Sequence, residues 1–283
     1  MSRRLLLCTD LDRTLLPNGA AAESPGVRDS FKRFVTRGEV RLAYVSGRDR
    51  QRVEQAMRDY ELPLPDFVIA DVGTTIYDVA AGNRWVRNHR WEDEIGQDWA
   101  DDGYGRLSKE LRNDERLELQ EASKQNRFKL SFYVDRRAEE HQLLTDIEAR
   151  LVPLDTPSTL VYSFDEPRQI GLLDVLPEKA SKLHAIQFVM RESGFGESET
   201  VFCGDSGNDL SVLTSRIPGV LVANAADDVK RRAIRMAQSN GMGQYLYAAR
   251  GSFLGMNGNY AAGILEGVCH FHPDAASWLE DQG

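Results

Sequence analysis

Two carboxylates two residues apart, Asp10 and Asp12, follow directly on the apolar run Leu5-Leu6-Leu7-Cys8. Acids at the end of a buried segment are costly unless they are paired or hold a metal. This pair therefore suggests a nucleophile or a metal ligand, with a loop or helix cap as the competing reading. Far along the chain, Gly204-Asp205-Ser206-Gly207-Asn208-Asp209 sets two more acids four residues apart, with an amide between them. A plain turn needs neither the second acid nor the amide, so this is the most specific single signal in the sequence. Ser46-Gly47-Arg48 offers a hydroxyl and a small residue after another apolar run, although alone it reads as a turn. Lys182 follows Ser181 at an expected helix start. Cations disfavour helix N-termini, so a nearby anion would account for Lys182, while a surface lysine is the simpler reading by itself. Acids able to attack or bind a metal thus stand beside groups able to hold an anion.

These residues need a scaffold that brings distant chain positions together. Leu5 to Cys8, Val40 to Val45 and Phe67 to Ala70 read as short buried strands. Helical spacing separates them, with Val27, Phe31 and Phe34 in one segment and Val53, Met57 and Tyr60 in the next. Strand, helix, strand, helix, strand predicts a parallel sheet with helices on its faces, whose ligands sit at the carboxyl ends of the strands. The pattern then changes. Residues 75–88 read as a hairpin turning near Ala81-Gly82-Asn83, and residues 89–127 are charged, with strand alternation only at Leu117-Glu118-Leu119. Residues 128–134, 160–162 and 170–176 read as strands around a helix at 138–151. After Pro177 the first style resumes, with a helix capped by Ser181 and ending near Gly194, strands at 200–203 and 219–222, and helices at 226–238 and 260–271. The expected fold is α/β: a Rossmann-like parallel-sheet core, residues 1–86 and 173–283, with an inserted α+β cap at 87–172.

The order D-x-D-x-T, S-G-R, Lys and G-D-S-G-N-D resembles the haloacid dehalogenase-like phosphatases from Asp10 to Asp209. A closer resemblance lies in Val72-Gly73-Thr74-Thr75-Ile76, Lys129-Leu130-Ser131-Phe132-Tyr133-Val134, Leu173-Asp174-Val175-Leu176-Pro177 and the tail from Ala261 to Phe271. These pieces are similar to the sucrose-phosphate phosphatase family, and the tail is the most family-specific of them. The resemblance implies Mg²⁺ and a disaccharide phosphate, most simply sucrose 6-phosphate. It implies that Asp10 attacks phosphorus and forms an aspartyl-phosphate, while Asp12 protonates the leaving sugar oxygen and later deprotonates water. The Asp10 carboxylate, the Asp12 backbone carbonyl and Asp205 would ligate the metal, with Asp209 direct or through water. Ser46, Gly47 and Lys182 would hold phosphoryl oxygens, with Asn208 and Arg48 as weaker candidates. Gln125, Asn126 and Lys129 match a family segment of the type Q-N-x-x-K and are expected to contact sugar hydroxyls, against a solvated strand edge. The segment Ser163 to Leu172 departs from the family's short Ser/Gly-rich loop, which keeps mannosylfructose phosphate, a glycosyl-glycerate phosphate or another sugar phosphate open as substrate. A phosphomutase and a non-catalytic phosphosensor are the rivals outside hydrolysis.

The chain has 283 residues, with 44 acidic and 35 basic, for a formal net charge of −9. That balance argues against a general nucleic-acid binder. No apolar run approaches the ~18 residues of a membrane span. The stretch after Met1-Ser2-Arg3-Arg4 is too short for a signal peptide, so a cytoplasmic protein is expected. The expected partner is a small sugar phosphate, with a sugar-phosphate synthase as a protein candidate. Cys8 and Cys203 are expected on neighbouring strands, as reduced thiols rather than a disulfide. Trp85, Trp91 and Trp99 read as core packing before sugar stacking, His270 and His272 as a helix end before a metal pair, and Lys230-Arg231-Arg232 as a solvated helix face.

Overall fold

The structure, a computed structural model, describes residues 4–165 and 168–280. Met1-Ser2-Arg3, and Glu166 and Pro167 of the segment in which the sequence departs from the family's usual loop, lie outside the described residues. The chain begins β1 (Leu5–Thr9), α1 (Val27–Val35), β2 (Val40–Val45), α2 (Arg50–Asp59), β3 (Phe67–Ala70), β4 (Thr75–Ala80) and β5 (Arg84–Arg87). It continues through α3 (His89–Gly96), α4 (Gly103–Leu111), β6 (Leu117–Leu119), β7 (Leu130–Val134), α5 (Glu140–Leu151), β8 (Ser158–Asp165) and β9 (Ile170–Pro177). The last part is α6 (Lys182–Ser193), β10 (Thr200–Gly204), α7 (Leu210–Leu213), β11 (Gly219–Leu221), α8 (Asp227–Ser239), β12 (Leu246–Ala248), α9 (Ala261–Phe271) and α10 (Ser277–Glu280).

One sheet has the order β12-β11-β10-β1-β2-β3-β4-β5, and a second has β6-β7-β9-β8. From β12 to β3 all neighbours are parallel. The hairpin β4–β5 adds to the far edge in antiparallel fashion. Strand order runs outward from β1 in both directions, so β1 and β10 flank the point where it reverses. In parallel sheets that point opens a crevice at the carboxyl ends of the strands. Both faces of β1 are covered, which is why its sequence is apolar without alternation. Leu6 and Cys8 join a core with Ala185, Ile186 and Val189 of α6. Leu5 and Leu7 join another with Phe31 and Phe34 of α1 and with Ile264, Leu265 and Val268 of α9. Truncating either phenylalanine to alanine would cost about 3–5 kcal/mol. The tail therefore folds as a buried helix on the sheet, bracing the strands that carry the acids.

Helix starts follow local chemistry. Asp49 accepts a hydrogen bond from Arg52 N at 2.9 Å and Ser181 from His184 N at 3.2 Å, caps worth about 1 kcal/mol each. Gly194 ends α6 in the left-handed conformation. Residues 89–127 hold two helices, α3 and α4, that the sparse apolar spacing does not announce. The expected divisions at 86/87 and 172/173 cut through β5 and β9. The first strand carries the large sheet to Arg87, and the second carries the small sheet to Pro177.

All three cysteines are free, buried thiols. Cys203 lies beside Thr9 in the parallel register, not beside Cys8. Cys8 enters one core and Cys203 the other, so their side chains leave opposite faces of the sheet. Trp85, Trp91 and Trp99 are all buried, and their indoles donate to Asn83, the Gly73 carbonyl and Ser158. His270 stacks on Tyr247. Arg231 and Arg232 are exposed, while Lys230 reaches the Ala223 carbonyl. Among the described residues no helix is long and apolar enough to cross a membrane.

Candidate active site at the carboxyl end of the parallel strands

Asp10 stands one residue past β1, where its backbone N–H continues the ladder by donating to Cys203 O at 2.9 Å. Asp205 stands one residue past the neighbouring β10. Gly204 precedes it because a Cβ there would lie 2.6 Å from Asp209 Oδ2. That oxygen accepts from Asp205 N, Ser206 N and Ser206 Oγ, each at 3.1 Å. The turn after β10 is thus built around the Asp209 carboxylate, which is fully buried.

The other Asp209 oxygen receives Lys182. The Lys182 ammonium donates to Asp209 Oδ1 at 2.7 Å, Asp10 Oδ1 at 3.0 Å and Asn208 Oδ1 at 3.0 Å, which uses all three of its protons. Burial alone would lower the Lys182 pKa; the Asp10 and Asp209 carboxylates outweigh it and hold the group charged. The lysine at the first position of α6 is therefore neither a surface residue nor misplaced. Carboxylates 172 and 27 residues away in sequence offset the helix dipole.

Asp10, Asp205 and Asp209 each present an oxygen within 4.8 Å of the others, and all three are buried. Lys182 pairs with two of them, Asp10 and Asp209, while the third, Asp205, stands beside Arg13. Burial, followed by the neighbouring acids, pushes Asp10 well above the usual carboxylate range even against Lys182. Burial and Asp209 push Asp205 up to about 7. Thr14 Oγ1 donates to Asp205 Oδ1 at 3.0 Å. Asp205 Oδ2 is buried without a hydrogen bond, 3.4 Å from Arg13 Nε. A buried, oxygen-only, electron-rich cluster with an unsatisfied lone pair fits a hard divalent cation.

Asp12 faces elsewhere. Arg48 grips its carboxylate with Nε at 2.7 Å and Nη2 at 2.5 Å, and Asn18 adds a third donor at 2.7 Å. Burial pushes the Asp12 pKa up, but these donors outweigh it and hold the acid below its ordinary value. The Arg48 guanidinium, expected at phosphoryl oxygens, is instead engaged by Asp12. Ser46 is buried beyond the end of β2, accepting from Arg48 N at 3.2 Å, and Gly47 beside it is exposed.

The expected sugar contacts lie in a different place, where the small sheet meets the loop after β3. Gln125 donates to the carbonyls of Gln120 and Ser131 and accepts from Ser131 N. Its amide completes the edge of β7 and has no hydrogen remaining for a sugar. Asn126 donates to Thr74 Oγ1 at 3.0 Å. Lys129 is buried, 3.8 Å from Asp71, so this is no solvated strand edge. The sequence reading missed Asp71, although it stands one residue past a strand end as Asp10 and Asp205 do. It also missed Asn224, which donates to Arg13 O at 2.6 Å and accepts from Tyr260 N at 2.8 Å. That link joins the Asp10 loop to the tail, and no local spacing reveals it.

A model of the sucrose-6F-phosphate phosphohydrolase family matches residues 3–272. A Nitrosococcus oceani protein that carries a HAD-like hydrolase description without a substrate is 48% identical over 283 residues, 99% of this chain and 75% of its own length. Mannosylfructose-phosphate phosphatase of Agrobacterium fabrum is 26% identical over 267 residues, covering 94% of this chain and 96% of that enzyme. The sucrose-phosphatase of Synechocystis, solved with sucrose and phosphate, superposes with a TM-score of 0.77 at 25% identity, covering 95% of this chain and 98% of that one. The chain spans about three fifths of the length of the plant sucrose-phosphatases it matches.

Proposed function

Because this chain belongs to the sucrose-6F-phosphate phosphohydrolase family, we propose that it hydrolyses a disaccharide phosphate, first of all sucrose 6F-phosphate, with Asp10 as nucleophile and Mg²⁺ as cofactor. The observation that carries this reading is the buried cluster of Asp10, Asp205, Asp209 and Lys182 at the sheet's reversal point. An Asp10 oxygen attacks phosphorus, the bond to the sugar oxygen breaks, and that oxygen takes a proton from Asp12. Water then adds to phosphorus, its proton goes to Asp12, and phosphate leaves as the Asp10 carboxylate is restored. Ser46, the backbone at Gly47, and Lys182 once it exchanges one of its three present acceptors for the substrate, hold the phosphoryl oxygens. Asn208 fixes Lys182, and Arg48 orients Asp12. In the arrangement seen, Asp12 is ionised on Arg48, which suits it to receive the water's proton; donation to the sugar requires that pair to loosen.

Asp10, Asp205 and the Asp12 carbonyl would hold Mg²⁺, with Asp209 direct or through water. When bound, the ion supplies the positive charge that offsets repulsion between carboxylate and phosphate. Chelation is therefore expected to silence phosphate release and Mg²⁺ to restore it. Thermal unfolding gives an independent readout, because saturation at 100 times Kd stabilises by about 2.7 kcal/mol. A proton on Asp205 competes with the cation below about pH 7. Mg²⁺ affinity measured by calorimetry should thus weaken from pH 8 to pH 6. Activity and melting indifferent to chelator would contradict the metal assignment.

Residues 88–177 are proposed as the cap that covers the sugar, with β9 included through Pro177. Mannosylfructose phosphate is the second reading, favoured by the end-to-end match to its phosphatase. A synthase that makes the sugar phosphate is the candidate protein partner.

A further inference from the structure

Three consecutive residues after β3, Asp71, Val72 and Gly73, have positive φ angles of 53°, 62° and 103°. A β-branched residue in this region is an outlier. Such residues persist only where the surroundings over-determine them. Here the surroundings are the phosphoryl-binding loops on one side and the small sheet on the other.

On the first side, Asp71 N donates to Arg48 O at 2.9 Å and Val72 N to Ser46 O at 3.1 Å. The buried Val72 side chain lies over Gly47, where an added Cβ would be 3.7 Å from Val72 Cγ2. Gly73 presses on the start of α6: a Cβ there would lie 2.7 Å from the Ser181 carbonyl carbon and 2.9 Å from Lys182 N. On the second side, Asp71 Oδ1 faces Lys129 Nζ at 3.8 Å, and Asn126 binds Thr74 Oγ1, which in turn donates to Asp71 O at 3.1 Å. Thr75 Oγ1 fixes the other Asp71 oxygen at 3.1 Å. The Lys129 pair stands beyond hydrogen-bond reach, so it has room to tighten. The positive charge of Lys129 also acts on the half-buried Asp174.

We propose that Asp71 is a positioning residue: its carboxylate couples Lys129 of the small sheet to the strained corner that places Ser46, Gly47 and Lys182, so that a sugar seated under the cap improves phosphoryl-site alignment. This rests on the sugar-phosphatase reading above. It predicts that a phosphate ester too small to engage the cap is indifferent to the link.

The test is Asp71→Asn in the Mg²⁺-loaded full chain. Asparagine tolerates the left-handed conformation and can still accept from Thr75, so only the charge facing Lys129 is lost. Substrates are p-nitrophenyl phosphate and whichever of sucrose 6F-phosphate and mannosylfructose phosphate the wild type turns over faster. The expected result is a kcat loss on the disaccharide phosphate of about 10²-fold, the scale of a 1 Å misplacement. Turnover of p-nitrophenyl phosphate should stay within about threefold, and Tm within about 4 °C. Should Asp71→Asn fail to fold, Thr75→Val releases the same carboxylate without altering its charge and gives the same selectivity at smaller magnitude. Equal losses on both substrates, or none on either, overturn the coupling alone. A wild type active on p-nitrophenyl phosphate but on neither disaccharide phosphate overturns the sugar reading and the coupling with it.

Discussion

Asp10→Asn is expected to reduce multiple-turnover phosphate release by about four orders of magnitude or more, while leaving the protein as stable as the wild type or more so. The two halves of this result have separate causes. The amide is isosteric but cannot attack phosphorus. It also removes one of the two buried carboxylates that share Lys182. Burial and the neighbouring acids disfavour the ionised Asp10 in the folded protein. A neutral side chain relieves that penalty and can still accept from Lys182 through its Oδ1. Phosphate release under steady-state conditions and thermal melting without Mg²⁺ measure the two halves. Near wild-type turnover would place the nucleophile elsewhere, and a large drop in Tm would contradict the electrostatic description of the cluster.

Lys182→Met should have a smaller but still large effect on activity and the opposite effect on stability. Methionine preserves much of the side chain's length but leaves Asp10 and Asp209 without their cation in a buried site. Breaking a buried ion pair from one side costs about 3–5 kcal/mol, and loss of a donor to the transferring group costs about 10³ in kcat. The deficit depends on pH with a definite sign. Uncompensated buried carboxylates have raised folded-state pKa values, so the folded variant binds more protons than the unfolded chain, and its stability falls as pH rises. The gap to wild type should therefore be widest at pH 8 and narrow towards pH 5. Mg²⁺ should recover part of the stability and little of the rate. A variant melting with the wild type at pH 8 would show that Lys182 is not what holds the two acids.

The cluster of Asp10, Asp205 and Asp209 is legible in the sequence because its surroundings are local. Asp10, Ser46 and Asp205 each stand one residue past a strand end, and buried parallel strands announce themselves as short apolar runs such as Leu5 to Cys8. Ser181 and Gly194 mark the ends of α6 by their own capping chemistry. The insert was less legible because its helices bury few residues. Trp91 and Ile95 carry α3, and α4 opens on Gly103 and Gly105, so periodicity had little to register. β5 and β9 run across the expected divisions, with no break in composition to mark where one sheet ends and the other begins. Motif residues can also be engaged in ways that spacing does not reveal. Gln125 and Arg48 carry polar groups suited to a ligand, yet one completes a strand edge and the other holds Asp12. Contacts made across the chain, such as Asn224 to Arg13 O over 211 residues, have no sequence signature at all.

Hydrolysis of a disaccharide phosphate by the buried acids and Lys182 is open to direct measurement. Its most direct test is kcat/KM for phosphate release by the Mg²⁺-loaded protein on sucrose 6F-phosphate, mannosylfructose phosphate, fructose 6-phosphate and glucose 6-phosphate. Free disaccharide is the expected product, with a preference for one disaccharide phosphate over both hexose phosphates of about 10²-fold or more, as expected where unpaired polar groups penalise the wrong sugar. Equal rates across the four substrates, or no release from either disaccharide phosphate, would contradict it.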